Sequence, residues 1–148
     1  MGLEGIGISS NVANSVAIPV PAPSGSRGVI VELGKATGVQ FNSVAPTTIF
    51  TTVAGFTRCR VTSIVVGNIS GVCTTASFSF GQSGTPTDWA ATATYAGLSA
   101  AGKFITIAPS TAAGQAEITG TGVAFVVNVT IGQGVATTGD VIAFGFYE

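Results

Sequence analysis

The sequence predicts an all-β fold: a β-sandwich or jelly roll of about 7–9 short antiparallel strands behind an extended N-terminal arm. Three observations carry this. Apolar residues alternate with polar ones at period two in several short segments, and no long stretch repeats at the helical period of 3.6. Those segments are separated by clusters drawn from 21 Gly, 6 Pro and many Ser and Thr. Finally, only 7% of the 148 residues are charged, against about 25% in ordinary soluble domains, while the 46% hydrophobic content is ordinary. The charges have been replaced by small neutral residues. Such a surface loses little side-chain entropy and little charge hydration when a partner covers it, so the composition points to a chain that assembles.

Residues 1–27 stand apart. They hold four Gly, three Pro and no aromatic residue. Val20-Pro21-Ala22-Pro23 favours an extended backbone. Val16, Ile18 and Val20 are more apolar than a solvated tail needs, which favours an arm that orders on a neighbouring subunit, with a disordered tail as its alternative. Residues 28–148 then form a single domain. The first strand is expected at 28–33, with a turn at Gly34-Lys35 and a loop over 36–45. The β-branched and aromatic run 47–53 is the next strand, broken at Ala54-Gly55.

The stretch from Thr57 to Phe80 reads as a hairpin. Arg58 to Val66 and Val72 to Phe80 are its strands, and Gly67-Asn68-Ile69-Ser70-Gly71 is its turn. In that register Cys59 and Cys73 lie roughly 20 Å apart at about 3.3 Å per residue, beyond disulfide reach, so two free buried thiols are expected. Asp88 can cap a short helical piece through Trp89 to Ala101, where alanine is frequent. Further strands are expected at 103–108, 115–119, 123–131 and 140–147, the last placing Ile142, Phe144 and Phe146 on one face.

The residue inventory excludes most chemistry. With no histidine there is no Ser-His-Asp or Cys-His nucleophile arrangement, and the commonest transition-metal ligand is missing. Two cysteines outside a CxxC spacing do not build a zinc site, and no acidic run matches a calcium loop. Gly2, Gly5 and Gly7 precede no strand-to-helix unit and no GK[ST] follows them, so they are no phosphate loop. The expectation is a protein that is not an enzyme and needs no cofactor. Five basic residues and a net charge of -1 supply no groove for nucleic acid. No run of about eighteen apolar residues would cross a membrane, and the first residues lack the basic and apolar regions of a secretory signal.

The partner-facing candidates are therefore Arg58 and Arg60, which share one strand face, the arm residues Val16, Ile18 and Val20, and the single tryptophan, Trp89. Arginine suits bidentate contact with a partner's carboxylate, and at a strand end it equally protects an exposed sheet edge. Trp89 reads as an interface anchor, with a place in the core as its alternative.

The run Arg58-Cys59-Arg60-Val61-Thr62-Ser63-Ile64-Val65-Val66-Gly67-Asn68-Ile69-Ser70-Gly71, followed by Thr74-Thr75-Ala76, resembles small virion proteins of tailed bacteriophages. The alanine-rich segment with Tyr95 and the closing strand Asp140 to Phe146 fit the same plan. The resemblance implies a capsid decoration or cement protein. Such a protein sits on the outside of a phage head, binds the major capsid protein and clamps neighbouring capsomers, often as a homotrimer. It would be made in the host cytoplasm and located on the outer capsid surface of the virion. A head-fibre or tail subunit is the nearest alternative. A carbohydrate-binding sandwich module is a more distant one, which usually shows exposed aromatics or acidic calcium loops.

Overall fold

The computed structural model describes residues 29–112 and 117–148. Its strands are β1 (Val31–Gln40), β2 (Pro46–Thr51), β3 (Arg58–Gly67), β4 (Ser77–Gln82), β5 (Thr85–Thr94), β6 (Ile105–Ile107), β7 (Ile118–Thr119), β8 (Ala124–Ile131) and β9 (Thr138–Tyr147). One sheet has the order β1-β9-β3-β6, with β7 also paired to β3; the other runs β2-β8-β4-β5. Every pairing is antiparallel. Leaving aside the two-residue β7, eight strands form two sheets, and the chain changes sheet at every connection except β4 to β5. This is the jelly-roll arrangement.

The core lies between the sheets. Phe78 and Phe80 of β4 and Phe125, Val127 and Val129 of β8 face Ile64 and Val66 of β3 and Val141 of β9, all nearly inaccessible to water. Their spacing of two follows from the pleat, which sends alternate side chains to opposite faces. In β9 the buried alternates are Val141, Ala143 and Tyr147, so the shared face of Ile142, Phe144 and Phe146 turns away from the core and is only half-buried.

Three local expectations fail, each because tertiary pairing overrode a local signal. The Thr57–Phe80 stretch is no hairpin: β3 and β4 belong to different sheets, and residues 68–76 cross between them. The disulfide is absent as expected, with Cys59 and Cys73 free and buried, but the register used to argue it does not exist. The segment after Asp88 is strand, not helix, because its alternating Ala and Thr pair with β4 from Thr85 to Thr94. Asp88 caps a hairpin instead. Its carboxylate accepts from the Gln82 backbone N–H (3.1 Å), Gln82 Nε2 (3.0 Å) and the Thr85 hydroxyl (2.7 Å). Finally, β1 continues through the expected turn and loop to Gln40, absorbing Gly34 and Gly38 at register shifts. Gly34 is needed there, since a Cβ would lie 2.5 Å from the Phe50 Cβ of β2.

Candidate interaction surface

Strand directions gather the loops into two groups. Gln40 pairs with Thr138, Gly67 with Asp140, Val66 with Ile105, and Ser77 with both Ile131 and Thr94. Loops 41–45, 68–76, 95–104 and 132–137 therefore meet at one end of the sandwich. The opposite end holds loops 52–57 and 83–84, residues 108–112 and 117–123, and the start of β1 and end of β9.

The four-loop end is tightly cross-bonded. Phe41 N–H donates to Thr137 O (2.8 Å) and Gln133 N–H to Phe41 O (2.8 Å). Ser70 N–H donates to Thr138 O (2.8 Å), Cys73 N–H to Leu98 O (2.8 Å) and Gly102 N–H to Ile69 O (2.9 Å). The Gln133 side-chain oxygen alone accepts three bonds, from Thr75 N–H (3.1 Å), the Thr75 hydroxyl (2.8 Å) and Ala76 N–H (3.3 Å). Beneath these bonds Ile69, Cys73, Leu98 and Thr137 are buried. The loops are thus fixed without any ion pair among themselves, and Lys103 is their one charged residue.

On this ordered platform stand Val44, Val72, Phe104, Ile131 and Val135, between 44% and 69% exposed, with Phe104 the most so. They are five of the eight large hydrophobic residues exposed among the described residues. The Thr137 hydroxyl lies 3.2 Å from the carbonyl oxygens of both Val72 and Val135, which puts those two side by side. Isolated exposed apolar residues are ordinary; several on adjacent rigid loops mark a contact surface.

The opposite end satisfies its own charges. Arg58 reaches Glu117 (3.1 Å) and Glu148 (3.5 Å), and Arg60 reaches Glu117 (3.5 Å). The two arginines do share a site, as their spacing suggested, but the carboxylates they meet come from the same chain. Desolvation raises the Glu117 pKa, and the hydrogen bond and charge of Arg58, the charge of Arg60 and a hydrogen bond with Glu148 together outweigh it and hold the carboxyl below the usual carboxylate range. At the rim between β1 and β9, Asp140 is drawn down in the same way. Some desolvation is outweighed by bonds from Asn68 (3.1 Å) and Gly38 N–H (3.1 Å) and by Lys35 (3.4 Å).

Trp89 is a core residue and cannot anchor a partner. It is 3% exposed, stacks edge-on against Phe80 and Phe125, and donates its indole N–H across the sandwich to Val61 O (3.0 Å). That carbonyl belongs to a stretch of β3 between its pairings with β7 and β6, so the tryptophan closes a gap in the ladder. Val16, Ile18 and Val20 lie outside the described residues. Burial pushes the Cys59 thiol up to about 12 against a lowering hydrogen bond with Tyr147, and pushes Cys73 up to about 11; neither is a ready nucleophile. Among the described residues no group of three or more His, Cys, Asp or Glu could hold a metal ion.

Sequence reasoning missed the apolar end. The available signal was two long charge-free runs, 61–87 and 118–139, which supply two of its four loops. No family model and no curated protein matches the chain. Among solved structures it is similar to a chain of the cyanophage Pam1 capsid asymmetric unit. That likeness has a TM-score of 0.49 and 16% identity, over 90% of this chain and 96% of the other. A likeness of that degree carries no conclusion about function.

Proposed function

We propose that this chain is a structural protein of a tailed-phage virion, and within that class a decoration or cement protein. It binds the outside of the head, contacts the major capsid protein and acts as a homotrimer. The observation that carries the reading is the four-loop end: ordered, almost free of charge, and studded with Val44, Val72, Phe104, Ile131 and Val135. A preordered apolar surface binds without first losing loop entropy, which is what a clamp needs. The ion-paired end suits solvent, since its charges are already matched.

The test is addition of the purified chain to undecorated heads, followed by electron cryomicroscopy. Density on the outer surface with the four-loop end against the capsid is the expected result. Absence of binding, or a position in the tail, would overturn the decoration role.

A further inference from the structure

The jelly roll leaves four lateral edges, and three are guarded. On β1 stand Glu32 and Lys35, with two register shifts. The edge of β2 opens with Pro46 and carries a shift between Thr48 and Phe50. The edge formed by β6 and β7 is only three and two residues long. Charge, proline, irregularity and shortness are the devices that keep a sheet edge from taking another strand.

The fourth edge, β5, carries two register shifts against β4, one of them between Ala90 and Ala93, but is otherwise only half guarded. Its first part is capped by its own chain. Ser110 N–H donates to Trp89 O (3.1 Å), Ala91 N–H donates to Ser110 Oγ (3.0 Å), and the Thr111 hydroxyl donates to Asp88 O. From Ala91, whose N–H belongs to that cap, through Thr92, Ala93 and Thr94, every residue is exposed, uncharged and not proline. Among the described residues nothing but β4 bonds the backbone of Thr92 to Thr94.

The arm carries a matching pattern. In an extended segment successive residues direct their N–H and C=O groups to opposite edges. Pro19, Pro21 and Pro23 fall on one edge together with Ala17, which leaves that edge a single donor. Val16, Ile18, Val20 and Ala22 fall on the other, where every N–H is present. The same alternation sends the three large apolar side chains to one face. Such a segment pairs once and then stops, because its far edge cannot continue a ladder.

We propose that residues 16–23 of one copy add as a strand to Ala91–Thr94 of β5 in a second copy. A copy's own arm falls short. It departs at Val31, on β1, at the opposite side of the sandwich from β5. Residues 24–30 span about 24 Å at roughly 3.4 Å each. The route around the core needs one sheet spacing of about 10 Å and three strand spacings of about 4.8 Å before any climb along β5. A neighbour's arm has no such constraint. The pairing needs only other copies of this chain, so it stands or falls separately from the virion reading.

Proline placement tests it in the purified full-length chain, by sedimentation velocity over a concentration series. Ala17→Pro adds a fourth proline to the outer edge, removing its one donor, and leaves self-association unchanged. Ile18→Pro removes a donor from the pairing edge and weakens self-association at least tenfold. Thr92→Lys with Thr94→Lys weakens it similarly, with the thermal midpoint preserved in every variant. A monomeric unmodified chain would overturn the proposal. So would equal responses to Ala17→Pro and Ile18→Pro, or association untouched by the lysines.

Discussion

The two ends of the sandwich solve the problem of an ordered surface differently. At one end Arg58, Arg60, Glu117 and Glu148 satisfy one another, and exposed groups that already have partners gain little from a new one. At the other, backbone bonds and the Gln133 amide hold the loops, while Phe104 and four aliphatic side chains have water where a partner would give packing. Both ends are cross-bonded, but the second carries five of the eight exposed large hydrophobic residues among the described residues and the first only Val29, Ile30 and Val53, so the second stands to gain more from being covered. Rigidity and self-sufficiency are thus separable properties of a surface, and it is their mismatch that locates a contact site.

The largest expected effect separates how the ends are anchored. Gly145 of β9 passes directly against the Arg60 carbonyl, so Gly145→Ala forces backbone apart beneath the ion-paired end. A loss exceeding about 3 kcal/mol is expected by urea denaturation. Gly139, near the apolar end, meets the buried Ile69 (2.9 Å) and Phe41 (3.0 Å) side chains, with the Gly67 carbonyl close behind at 3.1 Å. Gly139→Ala should cost about 1–3 kcal/mol. Equal costs would show that the two ends rest on comparable backbone contacts. Next comes the apolar surface itself. Phe104→Ser with Val135→Ser should leave the thermal midpoint within a degree or two and weaken head binding by roughly 10- to 100-fold, as loss of an anchor does. Arg58→Ala should change binding less than about threefold. The reverse ranking would move the contact to the charged end.

The fold was legible where pattern alone determines structure and not where partner choice does. Alternation in 123–131 and 140–147 located β8 and β9 to within a residue or two, since the pleat writes itself directly into sequence. No local pattern says that β3 pairs with β9, about eighty residues away, in place of the strand that follows it. The alanines after Asp88 have helix propensity, and only the neighbouring β4 turns them into strand. The candidate site divides the same way. Arg58 and Arg60 were visible as a pair, but their carboxylates, Glu117 and Glu148, are distant in sequence. The apolar end is assembled from four loops that no single stretch reveals.

A smaller effect probes what holds the apolar end. Gln133→Ala leaves the Thr75 and Ala76 backbone N–H groups without their acceptor, at a cost of about 1–2 kcal/mol. Hydrogen exchange should accelerate at Thr75 and Ala76 and stay unchanged at Arg58 and Cys59. Exchange that rises at both ends alike would mean the two are one cooperative unit. At high pH the buried thiols add a second distinction between folded and unfolded chain. Folded values of about 12 and 11 stand against an ordinary 9.0. Above pH 9 the unfolded chain therefore binds fewer protons, and stability falls as pH rises toward the folded values. Cys59→Ala with Cys73→Ala should flatten that decline, read from thermal midpoints between pH 8 and 10.

The smallest effect belongs to the ion pairs. Because the Glu117 pKa is depressed in the folded chain, its contribution is present above the ordinary carboxylate range and is lost as pH falls through the lower folded value. Glu117→Gln removes that dependence. At pH 7 in physiological salt the variant should be hard to distinguish from the parent, because exposed pairs are screened and costly to order. The two stability curves should converge as pH falls, the parent losing what the variant never had. A large loss at pH 7 would show the charged end to be a structural clamp and not a self-neutralised surface, and the contrast between the ends would then be one of strength, not of availability.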